Sequence, residues 1–227
     1  MEKISCHECY FRKLAANYLT EEDIKLLCRT EAHVTYAKGE TILRQGDPSL
    51  QLVILQKGVV KFNYRNEGGR NFIMTIVSGP KILGGANLFY NETNIFSMIA
   101  MAPSDICLIN SSVFSQAMIS NPVFFAFLIR NAMEMFQASV FNFISIAHKQ
   151  VPGRIADVLI YLWEHVFKNA GIPFVISRKE IAEFASCAHE NAISTMSKFR
   201  KEGIIDIVTN EIKILNLDKL KEISAKG

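Results

Sequence analysis

Apolar positions recur along this chain with different periods, and the periods divide it into stretches of contrasting texture. Between residues 37 and 114, short apolar runs are separated by Gly, Pro, Asn and Asp. The runs at 52–55, 59–64, 71–77, 96–102 and 106–109 have strand length, with turn signals at Gly46-Asp47, Lys57-Gly58 and Gly68-Gly69. This pattern predicts a small antiparallel β-roll or barrel. The texture then reverses. Asn121 followed by Pro122 is a cap and first-turn pair for a helix, and Ile129, Met133, Phe136, Val140, Phe143 and Ala147 follow at spacings of four, three, four, three and four. That is a heptad seam. A second apolar stripe, Phe125, Leu128, Ala132 and Met135, lies on an adjacent face, so the helix is expected to pack on its own domain and on a partner helix at once. A parallel homodimer follows from this, with Val151, Pro152 and Gly153 ending the helix and Pro152 and Gly153 serving as a hinge.

The last stretch reads as two short helices, a tight turn and a hairpin. Ser177 with Glu180 three residues on is a capping box. Ile181, Ala182 and Ala185 form one apolar face, and Ala192, Met196 and Phe199 form the facing stripe of the next helix. Glu190, Ser194, Ser197 and Lys201 are left outward, as a polar row suited to a major groove. Gly203 can close this helix in a left-handed conformation, and residues 204–208 and 212–215, joined by Thr209, Asn210 and Glu211, read as a hairpin. A winged helix-turn-helix is the expected product. Ser177, Arg178 and Lys179 gather amides and cations at a helix start, where a DNA phosphate would bind.

With 227 residues and 49% hydrophobic content, the chain can bury a real core and is long enough for two modest domains. A net charge of +3 and a pI near 8.5 suit nucleic-acid binding but also suit many enzymes. No leader-like pattern occupies residues 1–12, so a cytoplasmic location is expected. The five cysteines, Cys6, Cys9, Cys28, Cys107 and Cys187, are odd in number and scattered, so they read as reduced thiols. The apolar stretch 123–147 is interrupted by Arg130, Asn131, Glu134, Gln137 and Asn142, which argues against a membrane span. An enzyme is not expected: the two-histidine, glutamate, histidine pattern of a metal-holding cupin barrel is missing, and no Ser/His/Asp or Walker-type arrangement is visible.

The order of β-roll, long helix and winged helix-turn-helix resembles the Crp/Fnr family of bacterial transcription regulators over almost the whole chain. The resemblance extends to motifs: Gly39-Glu40-Thr41-Ile42-Leu43-Arg44-Gln45-Gly46-Asp47 and Lys57-Gly58-Val59-Val60 are similar to the family's opening hairpins, and Val151-Pro152-Gly153-Arg154-Ile155-Ala156 to its hinge and following helix. It implies an α+β chain with an N-terminal cyclic-nucleotide-binding-like jelly roll and helical segment over residues 1–120. A dimerisation helix would follow at 121–150 and a winged helix-turn-helix DNA-binding domain at 151–227. It further implies contact with RNA polymerase and an allosteric effector in the roll.

The chain departs from that family in three places. In the cyclic-AMP-binding members a glutamate holds the ribose and an arginine pairs with the phosphate; this chain has Gly85 and Phe96 at the aligned positions. Leu83, Gly84, Gly85, Phe96, Ser97, Phe136 and Val140 are the expected effector-pocket residues, apolar enough that cyclic AMP is not the expected effector. The oxygen-sensing branch uses cysteines for an iron–sulfur cluster. Cys6-His7-Glu8-Cys9 and Cys107 match part of that set, with His7 or Cys28 as an irregular fourth ligand, so no metal is the main expectation and a cluster on Cys6, Cys9 and Cys107 the alternative. Haem has no ligand that stands out among His33, His148 and His165, and C-x-x-C without a following histidine is not a covalent haem site. Finally, the family's recognition helix carries two arginines where this chain has His189 and Ser194, retaining only Glu190. These three are the expected base readers, for a half-site unlike the family's best-known one.

Overall fold

The computed structural model describes residues 9–29, 32–83 and 93–227. Two short helices come first, α1 (Tyr10–Ala15) and α2 (Glu21–Arg29). Among the described residues eight strands follow: β1 (Ala32–Tyr36), β2 (Thr41–Leu43), β3 (Gln51–Lys57), β4 (Val59–Arg65), β5 (Asn71–Ser78), β6 (Lys81–Leu83), β7 (Ser97–Ala100) and β8 (Ser104–Asn110). They form two four-stranded sheets, ordered β1-β8-β3-β6 and β2-β7-β4-β5. The pairs β1–β8, β3–β8, β3–β6 and β2–β7 are all antiparallel. This is the expected β-roll. Turn chemistry sets one crossing tightly: Gly58 has a φ of +109°, and a Cβ there would lie 2.3 Å from Ser104 Oγ and 2.7 Å from its Cα, so only glycine fits.

Helices α3 (Ser111–Ser120) and α4 (Pro122–His148) come next, then α5 (Val151–Tyr161). A π-helical turn at Leu162–Phe167 and the short α6 (Lys168–Ala170) continue it. The last elements are α7 (Arg178–Phe184), α8 (His189–Lys201), β9 (Ile205–Val208), β10 (Glu211–Ile214) and α9 (Leu217–Lys226). The chain divides into two compact units. One holds residues 9–62 and 78–136 among those described; the other holds 63–77 and 137–227. Among the described residues no single helix is long and apolar enough to cross a membrane.

The core of the first unit is aromatic. Phe11, Phe114 and Phe124 are fully buried, with ring centroids 6.0, 6.5 and 5.8 Å apart pairwise, and Tyr18 stacks on Phe127 at 4.8 Å. The expected cap at Asn121 is present: its Oδ1 accepts from the Phe124 amide at 2.9 Å, while its Nδ2 donates to the Tyr18 carbonyl at 2.6 Å. Phe125, expected on the inward stripe, is exposed, and the neighbouring Phe124 is the buried ring. Leu128, Ala132 and Met135 are half-buried, and Leu128 packs on this core.

In the second unit, Tyr161 Oη donates to the Ile76 carbonyl at 2.9 Å, and burial pushes this phenol above its usual value. Asn71 Nδ2 donates to Glu183 Oε1 at 3.3 Å, and Phe72 stacks on Phe143. The far ends of β4 and β5 therefore pack with the helix-turn-helix. That grouping had no sequence signal, because it joins residues some 71 to 112 positions apart.

The break between α4 and α5 lies three residues before the expected hinge at Pro152 and Gly153. Helix α4 ends at His148 and α5 begins at Val151, so the break is Lys149-Gln150. Pro152 occupies the first turn of α5, and Gly153 is buried within that helix. Proline in a first turn forfeits no helical hydrogen bond and has a preset φ, so here it starts a helix instead of ending one. The break is held by charge and hydroxyls. Asp157 accepts from Lys149 Nζ at 2.9 Å, from Ser145 Oγ at 2.5 Å and from Ser224 Oγ, joining α4, α5 and α9 at one carboxylate.

Candidate nucleic-acid interface

The capping box at α7 is closed on both sides. Ser177 Oγ accepts from the Glu180 amide at 3.1 Å, and the Ser177 amide donates to Glu180 Oε2 at 3.0 Å. The Ser177 hydroxyl also donates to the same carboxylate at 2.8 Å. With both its polar groups committed to Glu180, Ser177 fixes the helix start. Arg178 and Lys179, both exposed beside it, are left to carry the positive charge.

Helix α8 packs through Ala192, Met196 and Phe199, at 0%, 1% and 2% exposure, against the face of α7 that buries Ile181, Ala182 and Ala185. Its opposite side leaves Glu190, Ser194, Ser197 and Lys201 exposed in one row, and His189 is exposed at the helix start. The two helices meet at a turn where Ser186 has a φ of +49°, a left-handed conformation that favours glycine. Ala188 occupies the N-cap of α8 and makes no side-chain cap bond. The start of this helix thus lacks the hydrogen bond that holds the start of α7.

The end of α8 is well made. Gly203 has a φ of +68°, its amide donates to the Arg200 carbonyl at 3.0 Å, and the Ile204 amide donates to the Phe199 carbonyl at 2.9 Å, a Schellman closure. Strands β9 and β10 follow in register, Glu211 opposite Val208 and Ile214 opposite Ile205, with Thr209 and Asn210 in left-handed conformations at the tip. Arg200 Nε donates to Asp206 Oδ1 at 3.2 Å and ties the helix to this wing.

On α4 the heptad positions face solvent: Ile129, Met133, Phe136 and Phe143 are 46%, 50%, 60% and 46% exposed, Ala147 is exposed and Val140 half-buried. Of the expected effector-pocket residues, Gly84 and Gly85 lie outside the described residues. Leu83, on β6, is fully buried, and Phe136 is exposed with the seam. Phe96 packs edge-on against Phe62 at 5.6 Å, and the Ser97 hydroxyl accepts from the Gln45 amide at 3.0 Å. Phe96, aligned with the family's phosphate-pairing arginine, thus offers an aromatic ring and no cation.

Two of the sequence-selected cysteines meet in the first unit. Cys9 and Cys107, both buried, are hydrogen-bonded to each other, and Gln56 Nε2 donates to Cys9 Sγ at 2.8 Å. The Cys107 contact is the main influence pulling the Cys9 thiol down to about 6; backbone amides of Arg12 and Phe11 and the Gln56 side chain assist, against desolvation. Half-buried Cys28 packs on the same core. Cys6 and His7 lie outside the described residues, and among the described residues no group of three His, Cys, Asp or Glu is placed to hold a metal ion.

Comparison with known proteins agrees with this architecture in both halves. Residues 33–121 match the cyclic nucleotide-binding domain model and residues 153–223 the Crp-like helix-turn-helix domain model. The cAMP-activated global transcriptional regulator CRP of Pasteurella multocida is 28% identical over 174 residues, covering 75% of this chain and 83% of that protein. The CRP-like cAMP-activated global transcriptional regulator of Mycobacterium tuberculosis is 20% identical over 191 residues, covering 82% and 85%. Among solved structures, a putative Crp/Fnr-family transcriptional regulator from Eubacterium rectale superimposes with a TM-score of 0.77 at 16% identity, covering 93% of this chain and 97% of that one. The c-di-GMP responsive global regulator CLP of Xanthomonas campestris gives 0.71 at 17% identity, covering 86% and 99%. With a cyclic nucleotide-binding-like roll, a long helix and a Crp-like helix-turn-helix in one order, the chain belongs to the Crp/Fnr family of transcription regulators.

Proposed function

We propose that this regulator acts as a homodimer on a palindromic duplex, under the control of an effector other than cyclic AMP. The observation that carries the DNA reading is the exposed polar row on α8 together with the exposed cations at the start of α7. Glu190 suits a cytosine amino group, His189 and Ser194 flank it, and Arg178 and Lys179 meet phosphates. The effector domain is residues 1–120, the dimer helix 121–150 and the DNA-binding domain 151–227. The effector acts in the roll, the change passes along α4 through the dimer seam, and the break at Lys149-Gln150 delivers it to two recognition helices. Such a protein works on bacterial DNA in the cytoplasm, alongside RNA polymerase, and its chemistry is recognition with no catalysis. Against cyclic AMP stands Phe96, packed on Phe62 at the position aligned with the family's phosphate-pairing arginine.

Base and phosphate contacts separate cleanly by mutation. Glu190→Ala is expected to relax selectivity at one base pair, by about 1 to 3 kcal/mol, with the salt dependence unchanged. Arg178→Ala is expected to weaken every duplex alike and reduce the salt slope by about one. Fluorescence anisotropy across a salt series on matched and mismatched duplexes makes the measurement, and indistinguishable behaviour of the two variants would refute the docking.

A second reading, redox control, is favoured by the Cys9–Cys107 contact. Two thiols and one hydrogen peroxide would give one disulfide and two waters, closing a loop from α1 to β8. Peroxide treatment is then expected to produce a Cys9–Cys107 linked peptide and to change duplex affinity in the native protein but not in Cys107→Ser. A linkage that leaves affinity unaltered removes this reading.

A further inference from the structure

The turn between α7 and α8 combines two local defects, a non-glycine residue in a left-handed conformation and a helix start with no side-chain cap. Each loosens the placement of the recognition helix. One side chain from outside the motif reaches this turn. Arg154, in the first turn of α5, donates from Nη1 to the Ser186 carbonyl at 3.0 Å and from Nε to the Lys149 carbonyl at 2.8 Å. It also lies close enough to Cys187 to oppose the upward push that burial gives that thiol.

We infer that Arg154 is a positioning residue for DNA recognition, tying the break after the long helix to the turn that aims the recognition helix. The chemistry suits a guanidinium and no other side chain. Its planar fork sends separate N–H groups to the two carbonyls, whereas a lysine ammonium is a single point donor on a flexible stem. A charged donor on the Ser186 carbonyl also stabilises the peptide following a residue that resists its own φ. The lower end of the arginine is fixed as well, because its own amide donates to the Gln150 carbonyl at 3.0 Å. The bond to Lys149 therefore links the recognition turn to the residue whose ammonium grips Asp157. The inference rests on the DNA-binding reading above and assigns a role within it.

The alternative role for an arginine here is a direct phosphate contact, and the two roles separate by experiment. Full-length wild-type protein, Arg154→Ala and Arg154→Lys would be titrated with a selected palindromic duplex across a salt series. Backbone hydrogen exchange at residues 186–188 would be followed without DNA. For a positioning residue, both variants are expected to bind about tenfold more weakly, lysine failing as alanine does, with an unchanged salt slope. The amides of Cys187 and Ala188 are expected to exchange faster in both. Recovery of affinity by Arg154→Lys, or a slope reduced by about one in Arg154→Ala, would overturn the proposal, as would unaltered exchange at 186–188. The exchange measurement needs no DNA, so it tests Arg154 even if the wild-type protein retains no duplex, a result that would count against the DNA-binding reading instead.

Discussion

Phe136→Glu is expected to leave the chain folded and to abolish its self-association. Phe136 is 60% exposed, and Ile129, Met133 and Phe143 on the same seam are each about half exposed. Ile144, also exposed on α4, lies beside the seam and extends the apolar surface. Contiguous apolar surface of this kind marks an interaction site, and the heptad spacing specifies a helix as the partner. At the centre of such a seam a carboxylate must lose its water without gaining a partner, whereas in a monomer it stays hydrated. A central aromatic anchor is worth about 2 to 4 kcal/mol to an interface, so the dimer dissociation constant should rise about 30- to 1,000-fold. Sedimentation equilibrium of the variant and wild-type chains measures this directly. Because a palindrome needs two recognition helices held together, the variant should also lose its preference for a full site over a half-site. An unchanged dimer would mean that the seam faces something other than a second copy.

Phe124→Ala is expected to cost about 3 to 5 kcal/mol of stability in the first unit, the range for emptying a buried phenylalanine site. Phe124 is fully buried and touches Phe11, Tyr18, Phe114 and Phe127, so its ring joins α1, α3 and α4 at one point. Its amide is also the one that Asn121 caps, which places the cavity beneath the start of the long helix. The surrounding rings are held by three helices and cannot all collapse inward, which puts the cost toward the upper part of that range. Urea unfolding followed by aromatic fluorescence and by far-ultraviolet circular dichroism would show the midpoint fall. A loss below about 1 kcal/mol would mean that the aromatic cluster packs less tightly than its ring distances indicate.

What the sequence made legible followed short-range rules. The Ser177–Glu180 box, the Gly203 closure and the buried faces of α7 and α8 depend on residues within a few positions of one another, and all appear as read. The long helix was equally plain, but its inward face was misplaced by one residue at Phe124, since a helix rich in phenylalanine offers more than one apolar stripe. Pro152 reads equally as a stop or a start, because proline does both, and the fold uses it in the first turn of α5. Helices α3 and α9 escaped notice although each has an asparagine cap, Asn110 accepting from the Ser112 and Val113 amides and Asn216 from the Lys219 amide. Those were readable signals. The Cys9–Cys107 contact and the reach of Arg154 to Ser186 were not, because each joins residues brought together only by the fold.

The claim that most of this account depends on is that two copies of the chain read one symmetric DNA site. Incubating the purified, reduced protein with fragmented DNA from its host and sequencing what it retains tests that claim most directly. The expected result is enrichment of a single palindrome whose half-sites lie about one helical turn apart, weakened by added salt. Retention of no sequence, or of an asymmetric site bound equally well by Phe136→Glu, would contradict it.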